Sequence, residues 1–368
     1  MDFGLGLMGY EGSWDDARFA EEHGFSTIGF VDSPLLAGDP FVCLGLAAQA
    51  TSTARVGTFL AIPGLRSAPT AAAAIATVNK LAPGRTFLGL GTGFTGRAVF
   101  GMPRLPAAQV RDYALECRGL LDGGEVAHTW GTRTRPIRLR QLEGRYIDTE
   151  SYIPVYVGGD GPKALAAVGA AGDGWVVTLQ YSNVMANSDE VFGGSLAAVR
   201  ASAEAAGRDL GDPYTMWSIC VCVLEEGESA VSERALEHAG PGAMMPFHAY
   251  ADDPSIRPYL PPAIQDRLEI YEREVLGRFD VPDDRRHQET HGGHLSHLLD
   301  GEAQVLTEDL MRSTMLVGTA QEIADVLVRL EALGLRNVSF WIPPHLTREV
   351  VRDIEEKVMP LVAAGRVV

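Results

Sequence analysis

The stretch Phe87-Leu-Gly-Leu-Gly-Thr-Gly-Phe-Thr-Gly-Arg97 decides the fold, because a short apolar strand passes directly into a loop rich in glycine and threonine. Glycine has no side chain, so such a loop can approach a ligand closely and can take positive φ. It contains Gly91-x-Gly93-x-x-Gly96, formally the dinucleotide fingerprint. That motif should lead into a helix and a second strand ending in an acid, whereas Asp112 falls inside a predicted helix. We therefore interpret the stretch as a cofactor loop at the end of a barrel strand. A tight structural turn and a dinucleotide site are the alternatives.

Short apolar runs alternate with helical patterns along the chain. Most of the runs are continuously apolar, which is typical of strands covered on both faces in a parallel sheet. Eight strands, each followed by a helix, predict an α/β fold, a (β/α)8 TIM barrel, with a doubly wound open sheet as the main alternative. The predicted strands span residues 2–8, 26–31, 55–60, 86–90, 153–157, 174–177, 215–224 and 337–342. The predicted helices span residues 13–23, 68–81, 107–121, 162–171, 189–206, 319–333 and 347–357, with another beginning at Asp39-Pro40.

Two segments interrupt this alternation. Residues 124–152 are interpreted as a loop or excursion after the fourth helix. Residues 225–312 are far longer than an ordinary strand-to-helix loop and carry helical patterns of their own. We predict a single domain over residues 1–368, with 225–312 as a mainly helical insertion after strand seven. In a barrel this insertion would lie over the carboxyl-terminal face, where active sites form.

The composition limits the partners that the chain can have. A formal net charge of −17 over 368 residues repels phosphate backbones and anionic lipid, so we expect no nucleic-acid or membrane partner. The amino-terminal residues begin directly with a strand and are not typical of a signal peptide. No apolar run reaches membrane-spanning length, and we predict a soluble, cytoplasmic protein. The four cysteines have neither a disulfide nor a zinc spacing.

A second glycine cluster, Gly158-Gly-Asp-Gly-Pro-Lys163, follows the fifth predicted strand. Pro162 suits the first turn of a helix, where the free N–H groups form an anion site. A lysine at a helix start opposes the helix dipole, which makes sense if Lys163 contacts a phosphate there. The alternative is an ordinary helix start with an exposed lysine.

A histidine cluster lies within the predicted insertion, at His287, His291, His294 and His297. Spacings of four, three and three residues would align these side chains on one helical face, and three aligned histidines can bind a metal. Because Gly292-Gly293 interrupts the helix and no carboxylate repeats the pattern, we predict no metal site. A histidine that gates or protonates a substrate and an ordinary surface helix are the two other interpretations.

Asp32 ends the second predicted strand and is the candidate acidic group of the site. A carboxylate at the carboxyl end of a barrel strand is well placed for function. A turn or capping aspartate is an equally good interpretation from the sequence.

Taken together, these residues resemble the bacterial luciferase-like superfamily, and more closely its deazaflavin-dependent, methylenetetrahydromethanopterin reductase-like branch. The order and spacing of the motifs carry the resemblance over most of residues 1–178. The motifs are Ala20-Glu-Glu-His-Gly-Phe25, Val31-Asp32, Asp39-Pro40, Ala50-Thr51, Arg55-Val-Gly-Thr58, Pro83-Gly-Arg85, Gly89-Leu-Gly-Thr-Gly93, Pro154-Val-Tyr-Val-Gly158, Gly161-Pro-Lys163 and Gly172-Asp-Gly174.

The resemblance implies a (β/α)8 barrel, usually a homodimer, that binds reduced FMN or a 5-deazaflavin (coenzyme F-420) at its carboxyl-terminal mouth. It implies a non-prolyl cis peptide at Phe59–Leu60, a ring bordered by Thr92 and Gly93, and a phosphate at the second glycine cluster. The implied cofactor-binding residues are Asp32, Phe59, Leu60, Thr92, Gly93, Gly158, Gly159, Gly161, Pro162 and Lys163.

Two departures from the resemblance bear on the reaction. The sugar-phosphate dehydrogenases of this branch have a histidine where this chain has Ser33 and a glutamate where it has Phe94. The missing proton-handling groups argue against sugar-phosphate oxidation. Phe94 and Trp175 instead indicate an apolar pocket for a bulky or apolar substrate.

The predicted function is therefore hydride transfer from the reduced cofactor to a carbonyl, imine or alkene of a small organic molecule. We predict Asp32 and His294 as catalytic residues, with His294 donating the proton because the barrel strands carry no acid for this step. The alternatives are a reduced-FMN monooxygenase that activates O2, a non-catalytic flavin-binding barrel and a dinucleotide-dependent dehydrogenase.

Overall fold

The computed structural model describes residues 1–140 and 144–365. The strands are β1 (Asp2–Leu7), β2 (Thr27–Phe30), β3 (Arg55–Ala61), β4 (Thr86–Leu90), β5 (Val126–Trp130), β6 (Arg133–Ile137), β7 (Val155–Gly158), β8 (Gly174–Val177), β9 (Tyr214–Leu224), β10 (Leu316–Thr319) and β11 (Asn337–Trp341). The α-helices are α1 (Ser13–Glu22), α2 (Pro40–Ala50), α3 (Ala68–Leu81), α4 (Phe94–Ala98), α5 (Ala107–Leu121), α6 (Pro162–Ala171), α7 (Val184–Ala205), α8 (Glu233–Ala243), α9 (Met245–Asp252), α10 (Pro262–Gln265), α11 (Leu268–Glu274), α12 (Arg286–Thr290), α13 (Glu308–Thr314), α14 (Ala320–Ala332), α15 (Thr347–Asp353) and α16 (Met359–Gly365). Shorter 3-10 turns span Pro254–Tyr259, Leu276–Arg278, Asp283–Arg285, Glu302–Gln304 and Pro344–Leu346, and a π-helical turn spans Ile354–Val358.

Eight parallel strands close into a barrel. Their order is β1, β2, β3, β4, β7, β8, β9 and β11, and β11 pairs back to β1 through Ser339 and Gly4. The pairing of β8 with β9 closes the sheet, so the open doubly wound alternative is wrong. The predicted (β/α)8 barrel and its eight strands are confirmed, with boundaries that differ by two residues at most.

Several elements were not predicted, among them the following three features. The strand β10 pairs in parallel with the far end of β9, beginning at Leu316 and Val221. The hairpin of β5 and β6 occupies part of the segment interpreted as an excursion, of which residues 141–143 lie outside the described part of the chain. The five-residue helix α4 starts directly after the glycine loop. All three are short, so the periodicity of the sequence gives little signal for them.

Local sequence explains where the longer helices begin. Asp39 caps α2 by accepting the N–H groups of Phe41 and Val42, and Pro40 occupies the first helical position. At α14, Thr319 and Glu322 form a reciprocal capping box. These caps fix the helix starts that follow the strands, and with them the positions of the connecting loops.

The barrel interior has a small core of its own, separate from the larger core between strands and helices. Phe59 on β3 stacks on Trp341 on β11 at 5.0 Å between ring centroids, although the two strands are not neighbours. This contact therefore crosses the interior. Glycines provide the room for it, since a Cβ on Gly29 would lie 2.7 Å from Cγ of Phe59, and one on Gly6 would lie 2.6 Å from the Trp341 ring.

The segment 225–312 touches loops that follow three barrel strands. After β4, the ring of Phe94 contacts the ring of His291. After β8, Gln180 donates a hydrogen bond to the sulfur of Met245. After β11, His345 forms a hydrogen bond with Glu237. All of these loops leave the carboxyl ends of parallel strands. From these contacts we propose that the segment covers the carboxyl-terminal face of a single barrel domain, as the sequence predicts.

Replacing Gly29 with alanine tests the packing inside the barrel. The added Cβ would overlap Phe59, and overpacking of this kind costs about 1–3 kcal/mol of unfolding free energy. Urea unfolding followed by circular dichroism measures the loss. The matched control is Gly194→Ala on the exposed face of α7, where no atom lies within 4 Å of the added carbon and stability should stay equal or rise by up to about 1 kcal/mol. Equal stability of Gly29→Ala and the natural chain would contradict this account.

Candidate functional site

Asp32 lies just beyond β2 and is buried, with 3% of its surface exposed. Its Oδ2 accepts the backbone N–H of Ile62 at 3.1 Å, one residue past the end of β3. Burial raises the pKa of this carboxyl, while the hydrogen bond from Ile62 and the charge of Arg66 act in the opposite direction. The side chain therefore joins the ends of two neighbouring strands, and one carboxylate oxygen serves this structural purpose.

Leu60 lies where the ends of three strands converge. The peptide bond between Phe59 and Leu60 is cis, as the resemblance implied. A Cβ on Gly89 or Gly91 would lie 2.8 or 2.9 Å from a methyl of Leu60, and one on Gly158 would overlap the same side chain. At these three positions glycine makes room for Leu60, a packing reason that the sequence pattern alone does not reveal.

Thr92 and Gly93 form the turn between β4 and α4. Gly93 has a φ of +77° and a Cβ there would lie 2.6 Å from Ile62, so both conformation and space require glycine. The carbonyl of Thr92 accepts the N–H of Leu105 at 2.8 Å. These contacts satisfy the tight-turn interpretation, while a ring bordered by Thr92 and Gly93 stays a prediction.

The second glycine cluster leads into α6, and the start of this helix is exposed to solvent. A Cβ on Gly161 would meet no atom within 4 Å, and no side chain caps this helix start. Pro162 occupies the first turn, and Lys163 beside it is exposed. An uncapped helix start with a neighbouring lysine fits a phosphate, which would accept from the free N–H groups.

Two hydrogen bonds hold the loop that carries this helix start. Nε1 of Trp175 donates to the carbonyl of Gly159 at 2.7 Å. The carboxylate of Asp160 accepts the N–H of Thr178 at 2.9 Å, which joins the loop after β7 to the end of β8. Both contacts preorganise the loop before any ligand binds.

The prediction that Trp175 lines an apolar pocket together with Phe94 is wrong. Trp175 is fully buried and stacks on Phe192 of α7 at 5.5 Å, so it packs outside the barrel. Phe94 is half-buried, with its ring edge-on to His291 at 5.9 Å and the guanidinium of Arg104 at 5.7 Å. Of the two aromatic residues, only Phe94 faces the segment that we place over the barrel.

Trp341, which sequence reasoning missed, stacks on Phe59 at the carboxyl end of the last barrel strand. Its Nε1 donates to Oγ of Ser218 at 2.5 Å, which fixes the ring orientation. The available signal was a tryptophan at the end of the eighth strand, since residues at strand ends of a barrel border its mouth.

Three buried histidines come together beside α4. They are His248, His291 and His294, and one ring nitrogen of each lies within 4.8 Å of one ring nitrogen of each of the others. His248 was missed, because it lies 39 residues before His287, the first member of the predicted cluster. Of the other two predicted members, His287 lies against Gly101 and His297 bonds to Ser296, so neither joins the group.

The helix α4 connects the two predicted catalytic residues. The hydroxyl of Thr95 lies 3.1 Å from Nε2 of His294, and a Cβ on the next residue, Gly96, would lie 2.5 Å from the carbonyl oxygen of Asp32. Burial, followed by the charges of His291 and His248, lowers the pKa of His294 well below its usual value.

The comparisons with known proteins agree with this geometry. The family described as luciferase-like monooxygenase matches residues 14–337. The F420-dependent hydroxymycolic acid dehydrogenase of Mycobacterium tuberculosis is 30% identical over 205 residues, covering 54% of this chain and 52% of that protein. The chain thus spans about half the length of this relative.

Solved structures share the fold over nearly the whole chain. The coenzyme F420-dependent tetrahydromethanopterin reductase of Methanopyrus kandleri has a TM-score of 0.68 at 17% identity and 98% coverage of both chains. A type II Baeyer–Villiger monooxygenase of Pseudomonas putida, in complex with FMN, has a TM-score of 0.64 at 14% identity and 98% coverage of both chains. At these identities the likeness concerns the fold alone. Within the described residues, no helix is both long and apolar enough to cross a membrane.

Replacing Asp32 with asparagine tests the burial of its charge. Because the folded-state pKa is raised, the charged carboxylate destabilises the fold at pH 8, and asparagine should increase the unfolding free energy there. The difference should stay constant above the raised pKa, shrink as the pH falls through it and vanish below the unfolded value of about 3.9. Thermal unfolding between pH 8 and about pH 3.5 measures the trend. The control Asp122→Asn, at an exposed position, should change the unfolding free energy by less than about 0.5 kcal/mol. An effect of Asp32→Asn that does not change with pH would contradict a raised pKa of Asp32.

Proposed function

We propose, given that this chain belongs to the luciferase-like monooxygenase family, that it is an oxidoreductase using a reduced 5-deazaflavin (coenzyme F-420) or FMN. The observation that carries the proposal is the convergence, at one end of the barrel, of Leu60 packed among three glycines and the uncapped start of α6. The names of the relatives support both cofactors, since one is F420-dependent and one fold neighbour is a complex with FMN.

The ring of the cofactor would lie against Phe59, Leu60, Thr92 and Gly93, with Asp32 behind them. The hydrogen bond from Ile62 occupies Oδ2 of Asp32, and we propose that Oδ1 serves the ligand. The half-buried Leu60, held by three glycines, would press on the ring. These residues bind and orient the cofactor before reaction, which is the protein's contribution in a cofactor enzyme.

The phosphate of the cofactor would lie at the start of α6. Gly161 leaves the backbone open, whereas a Cβ on Gly158 or Gly159 would overlap Leu60 or Ala164. Pro162 begins the helix, and Lys163 would supply the cation. The chain as a whole carries a formal charge of −17, so an anionic ligand depends on this local exception. Arg104 is also exposed, and its charge counteracts the rise that burial causes in the pKa of Tyr181.

When bound, the reduced ring supplies a hydride to the substrate, and the protein must then provide a proton and exclude water. The substrate we propose is a small, apolar or bulky organic carbonyl, imine or alkene. Ser33 and Phe94 stand where relatives that oxidise sugar phosphates carry polar proton-handling groups, and Phe94 contacts His291 instead. The segment 225–312 would shield an apolar substrate beside Phe94 from water.

A reduced-FMN monooxygenase that activates O2 is the second candidate, favoured by the FMN-bound fold neighbour. The two functions differ in their need for oxygen. Turnover under strictly anaerobic conditions supports the reductase, because a monooxygenase stalls without O2. A homodimer, which the resemblance implies, stays a prediction for both.

Binding titrations test the cofactor assignment. FMN and coenzyme F-420, each oxidised and reduced, are titrated into the full chain and followed by absorbance and fluorescence. Micromolar binding of either one supports the proposal, and the absence of binding by both would overturn it. Binding without oxidation of the reduced cofactor by any carbonyl, imine or alkene, or by O2, would leave a non-catalytic flavin-binding barrel.

Replacing Lys163 with glutamine tests the phosphate site. We expect about tenfold weaker binding of FMN, or about 1.4 kcal/mol, because one charge-assisted contact is lost. Riboflavin lacks the phosphate and should bind both forms equally. The matched control is Lys80→Gln, in the last turn of α3 at the other end of the barrel. An equal loss for riboflavin and FMN would show that Lys163 does not contact the phosphate.

Replacing His294 with alanine tests its predicted role in catalysis. We expect turnover to fall by about 100-fold, in the usual range for a lost proton-transfer group. His297→Ala is the control, since His297 lies outside the buried group. Unchanged turnover in single-turnover kinetics of His294→Ala would make the predicted role wrong.

A further inference from the structure

The three buried histidines have a hydrogen-bonding pattern that the proposed function does not explain. Nε2 of His248 bonds to Oε1 of Glu302 at 2.7 Å, and Nε2 of His291 bonds to Oδ2 of Asp252 at 2.9 Å. The Nδ1 atoms of both rings are buried and, among the described residues, have no hydrogen-bond partner. In both His248 and His291, one ring nitrogen thus bonds to a carboxylate and the other has no hydrogen-bond partner among the described residues.

A buried ring nitrogen without a hydrogen-bond partner lowers the stability of the fold. The exposed fractions are 1% for His248, 0% for His291 and 7% for His294, so bulk water does not reach these rings freely. A buried polar atom without a partner costs about 1–3 kcal/mol, and native proteins have few of them. Two such atoms in neighbouring rings indicate an occupant that both of them contact.

A third buried polar atom belongs to the same segment. Oη of Tyr271 is buried without a hydrogen-bond partner among the described residues. The ring of Tyr271 packs on Phe247, which precedes His248 in the chain, with 5.4 Å between the ring centroids.

We propose that His248, His291 and His294 bind a divalent transition-metal ion through one ring nitrogen each. Nδ1 is the ligand atom on His248 and His291, because their Nε2 atoms are held by carboxylates. A metal-ligating histidine usually donates its second ring nitrogen to a carboxylate in this way. Three imidazole ligands suit Zn²⁺, Co²⁺ or Fe²⁺ rather than Mg²⁺ or Ca²⁺, which prefer oxygen.

The charges around the group also suit a dication. Glu302 and Asp252 bring two negative charges beside the rings, and the exposed fraction of the Glu302 side chain is 1%. A buried carboxylate needs a compensating positive charge. Protonated histidines would provide it only by packing cationic rings together and leaving their Nδ1–H groups unpaired, whereas a metal ion compensates the charge and uses both nitrogens.

This proposal reverses the sequence-based prediction of no metal. That prediction assumed one helix, which Gly292-Gly293 would break. Instead, the chain turns there, and the N–H of His294 donates to the carbonyl of His291 at 3.1 Å. The third ligand comes from α9. The glycines that argued against a helical site therefore permit a tight turn that presents two ligands.

A site with three histidines leaves one position open for water, and a metal lowers the pKa of that water. Such a water would be a second candidate, beside His294, for the group that supplies the proton of the proposed reduction. This last step rests on the proposed function, whereas the metal site does not. The test below measures metal binding alone, so its failure differs from a failure to bind FMN or coenzyme F-420.

The test uses the full chain without an affinity tag of histidines, stripped with a chelator and titrated with Co²⁺ and then Zn²⁺. We expect one equivalent of Co²⁺ with visible d–d absorption, its displacement by Zn²⁺, and a higher melting temperature with either metal. His291→Asn should abolish the absorption. The matched controls, His287→Asn and His297→Asn, remove a histidine of the same segment and should keep it.

Glu302→Gln provides a variant with little change in size. It replaces the carboxylate behind His248 and should weaken Co²⁺ binding by about 10–100-fold at an unchanged circular dichroism spectrum. No binding of Co²⁺ or Zn²⁺ at micromolar levels by the folded natural chain would overturn the proposal. Equal loss of binding in His297→Asn and His291→Asn would overturn it as well.

Discussion

The structure depends on a packing constraint inside the barrel: aromatic rings from some strands fill the interior only because other strands present glycine to them. Phe59 and Trp341 meet across the barrel, and Gly29 and Gly6 leave the space that their rings occupy. A closed sheet of eight strands has an interior just wide enough for side chains, so each large residue requires a small one opposite. The same rule continues at the mouth, where Gly89, Gly91 and Gly158 surround a single leucine.

This constraint gives the glycines at the mouth a packing purpose, since all three are buried and admit Leu60. Gly161 differs from them, because a Cβ there would meet no atom within 4 Å and its φ of −83° suits any residue. At the three strand ends, the candidate site is therefore built from the same packing as the core. At the start of α6, it is built from open backbone that takes no part in that packing.

The sequence predicts the barrel well because continuous apolar runs and helix caps are local signals. Prediction from the sequence fails for side chains whose placement depends on which face of a buried strand points inward. Gly174, Trp175, Val176 and Val177 are all buried, so no alternation shows that Trp175 packs outward against α7. The partnership of Phe59 with Trp341 and the approach of His248 to His291 are contacts between distant parts of the chain. Such contacts have no periodicity to detect, and an unaided reading of the sequence cannot supply them.

The histidine group changes how the segment 225–312 fits into the molecule. Phe94 begins α4 just beyond β4 and packs against His291 of the segment. His294 of the same segment meets the hydroxyl of Thr95 on α4. Because α4 also approaches the backbone of Asp32, one short helix connects the histidine group to the end of β2. If the proposed function holds, the strand ends would position the cofactor and the segment would bring further polar groups beside it.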